Sequence, residues 1–386
     1  MHIADITLFF APHSGGVKRY LRAKHRDLAI RPGVRHSLLV PGALTEELQP
    51  GVLSFGSPRI PFAGGYRLPL RRAPWKRALL ALDPDVIEVG DPYHLAWAAL
   101  DAAERCGAAT VAFAHSDLPR MLACRFGRTV GRAADAYLRK LYMRFDLVQA
   151  PSQLIAQRLR DGGIGRVVVQ PLGVDGEVFH PARRDPLLRA ELGLAPDARL
   201  LIFAGRMARE KQIPLLLDTF AALGAPYHLL LVGGEERRRL AANVTLLSYE
   251  QDSARLARLL ASADALVHAG AHETFGMIVI EAMACGLPVI GVRAGGVAEL
   301  IDASIGALAE PDDMKSLCQA IEKVYAGNLQ QMGQRARVRV EQRYAWASTF
   351  ELQLKRYARL VSARPNLAPL ADADFDAVEA TDMAGL

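Results

Sequence analysis

Cysteine is scarce and scattered. Cys106, Cys124, Cys285 and Cys318 show no metal-ligand spacing, which excludes a zinc-built scaffold and leaves four reduced, small side chains as the expectation. No apolar run reaches the roughly 20 residues that a membrane-spanning helix needs. The opening segment, Met1 to Gly16, lacks a basic stretch, and its apolar run leads into a glycine pair rather than a cleavage site; no signal peptide and a cytoplasmic location are therefore expected. There is no short-period repeat and no low-complexity block. Also missing is the three-glycine fingerprint with its later acidic residue, which excludes a dehydrogenase-type dinucleotide site.

What is present suits a globular chain of two domains. The length is 386 residues, with 51% apolar and 23% charged. The net charge of +6 is uneven: residues 1–180 carry 24 Lys and Arg against 16 Asp and Glu, and the remainder is slightly acidic. A basic half suits a phosphorylated ligand or an anionic membrane surface. An Arg-rich composition with solvated faces explains it equally well. Nucleic acid is not an expected partner.

Short β-branched or apolar runs alternate with helical patterns. Strands are expected at His2–Phe10, Ser37–Val40, Val86–Val89, Thr110–Ala114, Leu147–Ala150 and Val167–Gln170, with amphipathic stretches such as Lys18–Asp27 and Trp75–Leu82 between them. A second set follows at Arg199–Phe203, His228–Val232, Val244–Leu247, Ala265–His268, Val289–Gly291 and Gly306–Ala309. Both sets predict doubly wound parallel sheets of Rossmann-like, α/β type. The domains are placed at 1–175 and 196–345, with a linker at 176–195, a helix at 346–362 packing back towards the N-terminal domain, and an acidic, disordered tail at 363–386. Two such halves imply a ligand at the carboxyl ends of the strands.

The strongest motif runs from His272 to Ile290. A strand ends near His268, a loop of small and polar residues follows, and a helix opens near Gly276 and closes at Gly286, with Pro288 just beyond. Glu273 thus precedes a helix start, where free N–H groups favour phosphate or polar oxygens. Glu281 lies inside an apolar helix, where a carboxylate needs a partner; a ribose diol suits it. A loop of Ser14-Gly15-Gly16-Val17 follows the first strand, and its paired glycines allow close backbone approach to a phosphate or sugar.

The stretch from Glu273 to Pro288 resembles the paired-glutamate motif of family 4 retaining glycosyltransferases of the two-domain GT-B fold. This group includes sucrose synthases and phosphatidylinositol mannosyltransferases. Phe203-Ala204-Gly205-Arg206-Met207-Ala208-Arg209-Glu210-Lys211 resembles the family's Gly-Arg…Glu-Lys segment. Pro151-Ser152-Gln153, Pro171 to Asp175 and Gly295 to Leu300 match in order, so the resemblance runs from about Ser14 to about Trp346. It implies that Glu281 holds the nucleotide ribose and that Glu273 faces the donor sugar. Phe275, Gly276 and Met277 would present backbone amides to that sugar. Arg206 and Lys211 would neutralise the diphosphate, and Gly15 and Gly16 would lie at the diphosphate and acceptor. No Asp-x-Asp triplet stands in a recognisable donor loop, so no metal and no cofactor are expected beyond a UDP- or GDP-sugar as substrate. The implied reaction is hexosyl transfer with retention, the leaving phosphate assisting same-face attack; no protein nucleophile is assigned.

His115 ends a buried strand and is expected to reach the donor sugar and acceptor, with Asp117 a weaker candidate. The acceptor is expected to be a glycan, lipid or glycolipid. Basic segments with interleaved apolar residues, Arg67–Arg77 and Arg120–Arg144, suit an anionic bilayer at the inner face of the membrane or an ordinary solvated surface. Two other readings stand beside the transferase: a sugar-nucleotide epimerase of the same fold, and an inactive nucleotide-sugar-binding scaffold. A phosphorylase would need a pyridoxal lysine and a much longer chain.

Overall fold

A computed structural model describes residues 1–11, 14–61 and 64–363. The expected tail at 363–386 lies outside the described residues but for Ala363. Among the described residues the chain forms two compact units, 1–171 with 346–363, and 172–345.

The first unit is built on an eight-stranded sheet. Its strands are β1 (His2–Ile6), β2 (Arg35–Gly42), β3 (Glu46–Gln49), β4 (Val52–Gly56), β5 (Val86–Val89), β6 (Ala109–Phe113), β7 (Leu147–Ala150) and β8 (Val167–Val169), in the order β3-β4-β2-β1-β5-β6-β7-β8. All neighbours run parallel except β3, which pairs antiparallel with β4 at the edge. Ile3, Ala4, Ile87, Val111 and Leu147 are all fully buried, as strands covered on both faces require. Expected strand His2–Phe10 stops at Ile6. The physical reason is capture of the chain by side chains: Leu8 N–H donates to Asp91 Oδ2 at 2.5 Å, and Phe9 N–H donates to Thr7 Oγ1 at 3.0 Å. Those backbone groups are therefore unavailable to a ladder.

The second unit repeats the plan with seven strands: β9 (Arg199–Ala204), β10 (Tyr227–Gly234), β11 (Arg238–Ala241), β12 (Val244–Ser248), β13 (Ala265–Val267), β14 (Val289–Val292) and β15 (Gly306–Ala309). The order is β11-β12-β10-β9-β13-β14-β15, again parallel apart from the antiparallel edge strand β11. Strand order reverses beside β1 in the first sheet and beside β9 in the second, so the switch points fall at β1/β5 and β9/β13.

The segment 176–195, expected as a linker, is tied into the second unit. Arg258 on the helix Ser253–Ser262 binds Asp185 at 2.6 Å and Glu191 at 2.8 Å, and Arg189 binds Asp264 at 2.6 Å. Its Pro, Gly and charge content reflects a surface wrap rather than a free connection. The helix Trp346–Ala363 belongs to the first unit. It buries Phe350, Gln353, Arg356, Tyr357 and Leu360. Arg356 donates to Val169 O at 2.8 Å and to Gln170 Oε1 at 2.9 Å.

Under this helix lies a buried ionic network. Lys24, on the helix Gly16–Ala29, is fully buried, with its ammonium 2.9 Å from Asp5 Oδ1 and 3.0 Å from Glu88 Oε1. Tyr20 donates to Glu88 at 2.9 Å, and Gln353 donates to Tyr20 at 2.8 Å and to Gln149 at 2.8 Å. Tyr357 donates to Glu88 Oε2. His36 stands 3.2 Å from Asp5 Oδ2 and shares a 2.9 Å Nδ1–Nδ1 contact with His25. Each buried charge is met by partners from several elements, the condition under which charge is tolerated in a core.

Candidate active site

In the second unit the candidate residues gather at the β9/β13 switch point. Strand β9 ends at Ala204 and leads through Gly205 and Arg206 to a short 3-10 turn at Arg209–Lys211. Strand β13 ends at Val267 and leads through His268 to Glu273. The two loops touch at Gly270: a Cβ there would lie 2.9 Å from the Glu210 carbonyl oxygen. This close approach brings Lys211 to Glu273, and the ammonium donates to Glu273 Oε1. His268 Nε2 stands 3.5 Å from the same oxygen. Burial pushes the Glu273 carboxyl up, but the adjacent His268 ring and the Lys211 charge outweigh it and hold the group well below the usual carboxylate range. Glu273 is therefore an anion at every physiological pH. Its side chain is 21% exposed, so a ligand can reach it.

The loop after Glu273 is fixed from behind. Gly296 N–H donates to Glu273 O at 2.7 Å, and the Phe275 ring packs edge-on against Tyr344 at 5.9 Å. Gly276 caps the helix Met277–Ala284 at φ +106°, a left-handed conformation that favours glycine. A Cβ there would also stand 2.8 Å from Val297 Cγ2. Phe275 is thus an anchor by its side chain, and only its backbone can serve a ligand. Met277 opens the helix. Glu281 is 1% exposed, so it is not a solvated helix residue. Its charge, after burial, helps to push the neighbouring Cys285 thiol up to about 12.

Arg206 is placed differently. It is 70% exposed and lies 3.7 Å from Glu210, an i,i+4 pair worth little by itself. Arg206 and Lys211 follow the same strand, but only Lys211 is joined to Glu273.

The first unit holds the other candidates at its own switch point. Gly15 caps the helix Gly16–Ala29, and a Cβ at Gly15 would meet nothing within 4 Å. His115 follows β6 and is 9% exposed, stacked on Phe113 at 4.0 Å and 5° and edge-on to Tyr20 at 5.2 Å. Burial, assisted by the Lys24 charge, pushes its pKa down to about 3, so the ring is neutral at pH 7. Asp117 caps the helix Leu118–Phe126 and pairs with Arg158 at 2.6 Å.

Two residues stand out that the sequence does not mark. Asp91 follows β5 and is 2% exposed; its Oδ2 accepts from Thr7 Oγ1 at 3.0 Å as well as from Leu8, and burial raises its pKa to about 6. His268 is fully buried beside Glu273. The one signal for either is its position just past a strand at a switch point. Among the described residues, no group of three or more His, Cys, Asp or Glu is placed to hold a metal ion.

Comparison with known proteins places this geometry. Residues 14–178 match Glycosyltransferase Family 4, and residues 185–339 match Glycosyl transferases group 1. The GDP-mannose-dependent alpha-(1-6)-phosphatidylinositol dimannoside mannosyltransferase of Mycobacterium tuberculosis is 32% identical over 324 residues, covering 80% of this chain and 84% of its own length. A GDP-mannose-dependent alpha-mannosyltransferase of the same species is 34% identical over 315 residues, covering 78% and 81%. Among solved structures, sucrose-phosphate synthase from Thermosynechococcus elongatus superposes with a TM-score of 0.80 at 22% identity, covering 94% of this chain and 100% of that one. HepE of Anabaena, solved with UDP and glucose, gives 0.72 at 20% identity, covering 92% and 99%. Two sheets of this topology, the paired glutamates and these relatives agree: the chain is a hexosyltransferase of the GT-B fold and belongs to the group 1/family 4 glycosyltransferases.

Proposed function

We propose that the chain transfers mannose from GDP-mannose to a hydroxyl of a lipid-linked acceptor, with retention at the anomeric carbon. The observation that carries this is the Lys211–Glu273 pair at the β9/β13 switch point, with the buried Glu281 eight residues further on. Two relatives whose names specify GDP-mannose supply the sugar and the base, and the phosphatidylinositol dimannoside enzyme supplies the acceptor class.

In this reading Glu281 holds the ribose, and Glu273 accepts from the mannose hydroxyls. The amides of Phe275, Gly276 and Met277 steady the sugar. Lys211 and the exposed Arg206 bind the diphosphate; in the first unit, Gly15 and Gly16 offer backbone amides to a phosphate or acceptor oxygen. His115, neutral and buried, serves the reacting sugar and acceptor as a hydrogen-bonding group. The bond from mannose C1 to the β-phosphate oxygen breaks and a bond from C1 to the acceptor oxygen forms on the same face. The acceptor proton passes to the departing phosphate, and GDP leaves. Catalysis rests on positioning and on charge offered to the leaving diphosphate, without a metal.

The test is release of GDP from GDP-mannose in the presence of mannosylated phosphatidylinositol, against UDP-glucose as the control donor. Equal turnover of both donors, or melting-point stabilisation by UDP but not GDP, would refute the donor assignment. An epimerase would convert the nucleotide sugar with no acceptor present.

The acceptor class also points to a membrane surface. The helices Leu118–Phe126 and Arg128–Tyr142 expose Met121, Phe126 and Val130 among Arg120, Arg125, Arg128 and Arg132. Apolar side chains ringed by arginine suit an anionic bilayer. Sedimentation with anionic but not neutral vesicles, reversed by high salt, is expected; equal recovery with both points to an acceptor taken from solution.

A further inference from the structure

We propose that His268 is a positioning residue of the donor site: a second, buried donor to Glu273 that holds this carboxylate ionised and oriented while Lys211 turns to the diphosphate. The inference rests on the transferase reading above.

The argument begins from a conflict over one ammonium group. Without donor, Lys211 is the ion-pair partner of Glu273. With donor, the same lysine faces a diphosphate whose charge grows as the glycosidic bond lengthens. If Lys211 alone held Glu273, each step towards the phosphate would strip countercharge from a carboxylate in a largely enclosed site, and the carboxylate would respond by taking a proton. A protonated Glu273 accepts hydrogen bonds from sugar hydroxyls poorly.

The structure provides a partner that cannot leave. His268 is fully buried, and its ring lies tilted against Phe203 at 5.9 Å. Its main-chain N–H is tied to Ile290 O at 2.8 Å. Gly270 closes over the ring edge, where a Cβ would stand 2.9 Å from Cε1. Nε2 faces Glu273 Oε1 at 3.5 Å, an ion-pair distance just outside hydrogen-bond geometry, and neither ring nitrogen has a hydrogen-bond partner among the described residues. Nothing else competes for the Nε2–H tautomer. Both Lys211 and His268 address Oε1, which leaves Oε2 as the oxygen for the sugar. Lys211 is on a short turn and long enough to be shared; His268 is locked by packing.

The experiment compares His268→Phe, which keeps the ring and removes the donor, with His268→Gln, whose amide nitrogen reaches the Nε2 position. Carboxyl NMR of the full chain without substrate, with the signal assigned by Glu273→Gln, titrates Glu273 directly. In the wild type it stays ionised throughout the accessible range. In His268→Phe it is expected to titrate nearer the ordinary glutamate value of about 4.3. With GDP-mannose, His268→Phe should lower kcat roughly tenfold or more and shift the acid limb of its pH profile upward, with KM changing less than kcat. His268→Gln should recover most of both. His268→Asn, whose amide falls short of Glu273, repeats the loss if His268→Phe does not fold. A Glu273 titration and acid limb unchanged in His268→Phe, or a glutamine variant no better than phenylalanine, would overturn the proposal. Absence of transfer by the wild type with any nucleotide sugar would instead sink the transferase reading, and the carboxyl titration would still decide whether His268 holds Glu273.

Discussion

The two units use one plan and keep their charge in different places. In the first, charge sits in the middle of the sheet: Asp5 on β1 and Glu88 on β5 face Lys24, with Tyr20, Tyr357, Gln149 and Gln353 completing the set. In the second, the central strands are apolar throughout, from Leu200 to Phe203 and from Leu229 to Val232, and the ionic groups stand past the strand ends at Lys211 and Glu273. The first arrangement satisfies itself and serves architecture. The second keeps a share of its surface open, 15% for Lys211 and 21% for Glu273, where a ligand can reach it. A charged residue near a parallel sheet is thus informative only once its depth and its partners are known.

The largest effect should come from breaking the buried set. Lys24→Met leaves Asp5 and Glu88 without their cation, and loss of one partner from such a group costs about 3–5 kcal/mol. All three tryptophans, Trp75, Trp97 and Trp346, lie in the first unit, so urea unfolding followed by fluorescence reads that unit. A loss below 1 kcal/mol would mean that the network is ornamental.

The same experiment in the second unit should move function rather than folding. Glu281→Ala is expected to weaken GDP binding by roughly 10- to 150-fold, the effect of losing a charge-assisted partner of about 1.5–3 kcal/mol. Glu273→Ala should lower kcat more than it weakens donor affinity. Calorimetry with GDP and steady-state kinetics at saturating acceptor separate the two; identical profiles would erase the distinction between ribose and sugar roles.

A smaller contrast is one of sign with pH. Asp91, in the first unit, is raised to about 6 by burial. Its contribution is fully present below about 3.9, its unfolded value, and is lost as pH rises through 6. His228, in the second, is pushed down to about 4, by burial first and then by the Arg239 charge. Its contribution is present above about 6.5 and is lost as pH falls towards 4. Relative to wild type, Asp91→Asn should therefore gain stability as pH rises from about 4 to 6, and His228→Gln should gain it as pH falls from about 6.5 to 4, each on the order of 1–3 kcal/mol. Parallel melting curves in which both variants shift the same way would contradict these assignments. The smallest effect is expected from a chelator: activity that vanished reversibly with EDTA would displace Arg206 and Lys211 as the sole charge on the diphosphate.

How much of this the sequence disclosed follows from physical causes. Strands β5, β7 and β15 are readable because strands buried on both faces are continuous apolar runs. Edge strands β3 and β11 are four residues each and exposed along their whole length, so no apolar pattern marks them. Glu273 and Glu281 are visible through their motif. Lys24 reads as one more polar residue of an amphipathic helix, because the partner that completes its burial, Tyr357, lies 333 positions away. His268 reads as the end of a strand. Asp91 reads as a turn residue before Pro92, and its depth comes from Thr7 and Leu8 on another strand's loop.

The return of Trp346–Ala363 to the first unit sets an order on synthesis at the ribosome. Residues 1–171 emerge first, yet Tyr357 and Gln353, which close the shell around Lys24, Glu88 and Gln149, emerge only after the whole of 172–345. The second unit is drawn from the single stretch 172–345 and can mature while the first still waits with a lysine and two carboxylates incompletely housed. The part of the protein translated last to completion is therefore the part translated first. A chain truncated after Ala345 and released should resist protease across 172–345 and be cut within 1–171; the opposite pattern would show that the first sheet closes without its final helix.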